Sequence, residues 1–190
     1  ASGLALVMLF TGCASIYVDG ATKEVPAAQY TKPAKTAPVQ VFFEFQTKGV
    51  ANAQATTLLK GKAMEQIKAS GLFDAVSDQP SAGGGLLSVT LNNVPLSDDA
   101  FSKGFVTGLT FGLAGSQVSD GYVCTAKFTP ASGQAVTKTA RHAIHTTLGA
   151  AAAPGNATKA AGMEDAAYTM QRQVLSQVLN DLSKDPAFGR

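Results

Sequence analysis

The chain has 190 residues, a net charge of +2 and only 15% charged residues. Its 45% apolar content is ordinary for a globular protein and too high for wholesale disorder. Lys and Arg are scattered, Trp is absent and aromatics are few, so nucleic acid is not an expected partner and no stacking platform for bases or sugars stands out.

In chain order, Ala1 to Cys13 comes first and carries no charge. Its apolar block, Leu4 to Phe10, is far below the ~20 apolar residues of a membrane-spanning helix and has the size of a signal-peptide core. Thr11 and Gly12 supply small residues before Cys13. Leu-Phe-Thr-Gly-Cys resembles a bacterial lipobox, where a signal peptidase cuts before a lipid-modified cysteine. The resemblance implies a signal peptide over residues 1–12, with the sequence beginning inside the precursor, and acylation of Cys13. Ala14, rather than Asp, follows the cysteine, which by the same resemblance implies the outer membrane. A buried N-terminal strand or helix with a core cysteine is the alternative for this block.

Cys13 and Cys124 are the only cysteines. If Cys13 is acylated, Cys124 has no partner in the chain; if it is not, a Cys13–Cys124 disulfide is possible in an oxidising compartment. Residues 14–38 carry Pro26, Pro33 and Pro38 with weak periodicity, and predict a flexible tether with some extended pieces for a domain over residues 39–190, with a short edge strand at Tyr17 and Val18 as the alternative there.

Val39 to Gln46 alternates, with Val39, Val41, Phe43 and Phe45 on one side, and predicts a half-buried strand. Val50 to Ser70 switches period: Ala55, Leu59, Ala63 and Ile67 recur every four residues, with Asn52 as N-cap and Ser70-Gly71 as the stop. Gly61 inside this helix suggests close packing. A short strand over Leu72 to Val76 follows, then a turn through the glycines at 83–85. That triple glycine precedes a strand, not a helix, and so lacks the context of a phosphate loop. Leu86 to Val94, Tyr122 to Phe128 and Gln134 to Leu148 read as strands, the last two joined by the Pro130–Gly133 turn as a hairpin. Met163 to Leu182 is a second amphipathic helix. Together these predict an α+β fold: a mostly antiparallel sheet of about four to five strands with two amphipathic helices on one face. The phrases Ser70–Phe73, Gly108–Leu113 and Asp120–Cys124 resemble a group of small bacterial lipoproteins of unassigned function, which implies an envelope protein and no particular activity.

Gly104, Gly108 and Gly112 fall four apart within Phe101–Gly115. On a helix they would share one face and admit a close neighbour, as an oligomer interface or a membrane-contacting hairpin would need; the alternative is a long connection folded on its own domain. His142 and His145 are the only histidines. On a strand, a spacing of three points their rings to opposite faces, and no Cys or carboxylate cluster sits nearby in sequence, so no metal site is expected. No Gly-x-Ser-x-Gly elbow occurs, Cys124 falls on an inward strand position, and Asp98-Asp99 and Glu164-Asp165 suit a loop and a helix N-terminus. No catalytic residue and no cofactor emerge. The sequence therefore predicts a non-enzymatic protein held to the membrane by acyl chains on Cys13, on the periplasmic side of the outer membrane. It would act through an envelope protein partner or by self-association.

Overall fold

The computed structural model describes residues 13–96, 117–149 and 151–189. The signal-peptide block at 1–12 and the glycine-spaced stretch at 101–115 lie outside them.

The described elements are β1 (Ala14–Val18), a 3-10 turn (Ala27–Gln29), β2 (Val39–Thr47), β3 (Val50–Ala51), α1 (Ala53–Ala69), β4 (Val76–Ser77), β5 (Gly85–Pro95), β6 (Gln117–Thr129), β7 (Val136–Leu148), β8 (Thr158–Lys159) and α2 (Met163–Ser183). They form one eight-stranded sheet in the order β3-β2-β5-β6-β7-β1-β8, with β4 beside β2. The count of about four to five strands from sequence falls short because β1, β3 and β8 are two to five residues long, too short to show a period. The sheet is also mixed. β5, β6 and β7 pair antiparallel, but β2 runs parallel to both β5 and β4. Between β2 and β5 the chain crosses over through α1, which is what a parallel pair requires.

One face of the sheet carries the core. Val41, Phe43, Leu87, Val89, Leu91, Cys124 and Ala126 are buried there under Leu59, Ala63 and Ile67 of α1 and Met170, Val174 and Val178 of α2. The two helices touch each other over this face. Asn52 caps α1 as its side-chain oxygen accepts from the Ala55 N–H at 3.0 Å, and Gly71 takes the left-handed conformation past the C-terminus (φ 69°). Gly61 corrects an expectation: a Cβ there would meet nothing within 4 Å, so its role is not close packing. Leu72 and Phe73 are buried in the core, and the strand expected over 72–76 is reduced to Val76–Ser77.

The largest correction concerns residues 14–38. They are no flexible tether. β1 pairs with β7 over its whole length, from Ala14 opposite Leu148 to Val18 opposite Ile144. The residues after it run along α2 as a strap. Ser176 and Ser183, two helical turns apart, accept from the Val25 and Thr31 N–H groups at 2.9 and 3.0 Å. Gln177 donates to the Lys23 carbonyl, Arg172 pairs with Glu24, and Lys32 reaches the Ser70 carbonyl at the end of α1. Tyr30 is buried, which pushes its phenol up to about 12. Backbone-to-side-chain bonds of this kind leave no hydrophobic period in the strap itself.

Candidate functional site

Cys13 stands at the edge of the fold, directly before β1. It is exposed and its sulfur is free, and its carbonyl accepts from the Gly149 N–H at 3.2 Å. Cys124 is the opposite kind of thiol. It is buried on β6, and desolvation pushes it up to about 12, so it is an inert core residue at neutral pH. The two cysteines are not bonded to each other.

What fixes Cys13 is the attachment of β1. Main-chain pairing with β7 and β8 holds the strand on both sides, and Val18 is buried beneath α2. A polar lock closes its end. Asp19 Oδ2 lies 2.7 Å from His145 Nε2, and both side chains are fully buried. The other ring nitrogen, Nδ1, lies 2.7 Å from Ser119 Oγ and 3.3 Å from Gln117 Nε2. A carboxylate only accepts, so the ring proton belongs on Nε2; the Ser119 hydroxyl and the Gln117 amide then donate to Nδ1. The second carboxylate oxygen of Asp19 accepts from the Ala21 N–H at 2.7 Å. The lock therefore joins β1, β6 and β7 on the sheet face away from the helices.

His142 points the other way, as strand alternation requires. Its Nδ1 accepts from the Ala143 N–H at 2.8 Å, and Nε2 meets Gln173 Oε1 of α2 at 2.6 Å. Burial lowers its pKa, against the opposing pull of the Gln173 bond. The two rings thus sit on opposite faces, and among the described residues no three His, Cys, Asp or Glu side chains converge on a metal site. The Ser119–His145–Asp19 order resembles an acyl-transfer triad, but here Nε2 rather than Nδ1 meets the carboxylate. His145 is sealed at 0% exposure. No local pattern marks this network, because Asp19 and His145 lie 126 residues apart in the chain.

Two of the hollows lie at the ends of these elements. At the sheet end away from Cys13, a cleft of about 340 Å³ is floored by Phe73, Phe128 and Phe188, with Lys35 at its rim. Their ring centroids are 5.7, 5.9 and 5.2 Å apart. Between β1, β8 and α2 lies a polar pocket of about 310 Å³ lined by Asp19, Lys159, Arg172 and Gln173. Neither is lined by Ser119 or His145. No helix of the described residues is long and apolar enough to cross a membrane. Gly104, Gly108 and Gly112 fall outside those residues, but their flanks do not. Leu96 and Gln117 stand at the same end of the sheet as Cys13, since Pro95 pairs with Asp120, Gln117 with Thr147, and Ala14 with Leu148.

No protein-family model and no curated protein sequence matches the chain. Among solved structures, it is similar to a PelC dodecamer from Paraburkholderia phytofirmans, at 16% identity over 88% of this chain and 98% of that one, with a TM-score of 0.36. It is also similar to a minor lipoprotein from Acinetobacter baumannii, at 13% identity over 80% and 88% of the two chains, with a TM-score of 0.33. Likeness at this level carries no assignment of function.

Proposed function

We propose that this chain is a lipid-anchored protein of the bacterial cell envelope whose domain works by binding rather than catalysis. One observation carries the reading: Cys13, the residue that follows the lipobox-like Leu-Phe-Thr-Gly, is exposed and unpaired at the lip of the fold, while Cys124 is buried. A thiol in that place is open to an acylating enzyme without unfolding the domain. Each acyl methylene buried in the bilayer contributes ~0.8 kcal/mol, so several chains hold the protein where one would not. The absence of Asp at position 14 favours the outer membrane, with the domain on the periplasmic side. Metabolic labelling with an alkyne fatty acid tests this: the native chain takes up label and Cys13→Ser does not. Label retained in the Cys13→Ser variant would remove Cys13 as the acceptor. Changing Ala14 to Asp is expected to move the labelled protein to inner-membrane fractions.

A second reading assigns residues 101–115 to self-association or membrane contact. The position of Leu96 and Gln117 beside Cys13 favours the membrane form of it. Gly108→Leu separates the two readings. An unchanged size-exclusion mass and unchanged membrane association in the folded variant would refute it.

A further inference from the structure

The anchor has no slack. Ala14 is already in the sheet, opposite Leu148, and the Cys13 carbonyl is bonded to Gly149. A lipid on Cys13 would therefore bring one end of the sheet itself against the bilayer. That end leaves large apolar side chains open. Val118 and Leu148 lie on the face that carries the helices, yet they remain 58% and 52% exposed. Val50, on the β2–β3 hairpin at the same end, is exposed as well. Over residues 13–15, 47–50, 95–96, 117–119 and 146–149 the only charged side chain is Lys48, and Asp120, opposite Pro95, stands next behind them on β6. Among those residues no carboxylate would be driven into lipid, and the one charge is of the sign that headgroup phosphates attract.

From this we propose that the Cys13 end of the sheet is a membrane-contact surface, in which Val118 and Leu148 enter the interface beside the acyl chains. The proposal rests on the lipid-anchor reading and deepens it. It fixes an orientation: the strands stand away from the membrane, and β6, at ~3.3 Å per residue from Val118 to Phe128, holds the Phe73–Phe128–Phe188 cleft roughly 33 Å from the lipid.

The chain has no Trp, so single reporters are free of background. Val118→Trp, Leu148→Trp and, at the cleft end, Ser132→Trp are made in the form that begins at Cys13, which contains every described residue. A maleimide phospholipid is coupled to Cys13, since buried Cys124 does not react. Each protein is bound to phosphatidylcholine vesicles with brominated acyl chains, and circular dichroism confirms the fold. The expected result is about twofold quenching with a blue shift at positions 118 and 148, the depth of an interfacial side chain, and none at 132. Equal emission at all three positions on vesicle-bound protein would overturn the proposal. Because the lipid is attached chemically, this outcome is independent of whether cells acylate Cys13.

Discussion

At the far end of the sheet, three phenylalanines cover one another and close the core; at the Cys13 end, Val118 and Leu148 stay open to solvent and the interior is held by a polar lock instead. Both ends terminate the same strands. Aromatic rings bury a large apolar area each, and they suit an end that only has to be sealed. Asp19, His145 and Ser119 make directional bonds that hold one strand at one place, which suits an end through which the molecule would be tethered. The comparison separates attachment from stability, and each can be broken on its own.

Replacing Cys13 by Ser should have the largest effect on attachment and almost none on the fold. Membrane fractionation is expected to show the protein moving to the soluble fraction, while the melting midpoint is unchanged, because exposed substitutions stay within ~0.5 kcal/mol. Phe128→Ala should do the reverse. Truncating a mostly buried ring against Phe73 and Phe188 is expected to cost ~4 kcal/mol in urea unfolding, with membrane association retained. Asp19→Ala leaves a buried imidazole N–H without its acceptor, and a loss of ~3 kcal/mol is expected. A double-mutant cycle with His145→Ala should return a coupling above ~1 kcal/mol. A coupling near zero would mean that the lock does not act as a unit.

Smaller effects sharpen the picture. His142 has a lowered folded-state pKa because it is buried. The unfolded chain therefore binds the extra proton first, and stability is lost as pH falls through the unfolded value near 6.5. Urea midpoints measured between pH 7.5 and 5.5 should decline, with a ceiling of ~1.4 kcal/mol per pH unit for this one group. His142→Gln, which keeps a side-chain amide near Gln173, should flatten that slope. Asn52→Ala removes the cap on α1 and is expected to cost ~1 kcal/mol.

Much of the molecule after residue 38 was legible in the sequence. Val39 to Phe45 shows its alternation because one face is buried and the other wet. Asn52 reads as a cap because its side chain bonds locally, three residues on. The β6–β7 hairpin announces itself through Pro130–Gly133. The Cys13 end was scarcely legible beyond an edge strand at Tyr17 and Val18. β1 is five residues long, and its partner begins 134 positions away at Leu148, so no local period marks it. The strap after β1 is fixed by hydrogen bonds to Ser176 and Ser183, which hydrophobic patterning cannot report. Asp19 carries no local signal, because its partner His145 lies 126 residues away. The alternation that sent the two histidines to opposite faces was correct, yet it could not show what each ring would meet.

The central claim is that Cys13 carries lipid, and intact-mass and peptide mass spectrometry of protein extracted from membranes tests it most directly. The account predicts a mature N-terminus at Cys13 bearing a thioether-linked diacylglycerol and an amide-linked acyl chain. A peptide that reads through Gly12-Cys13-Ala14 with an unmodified thiol would contradict it.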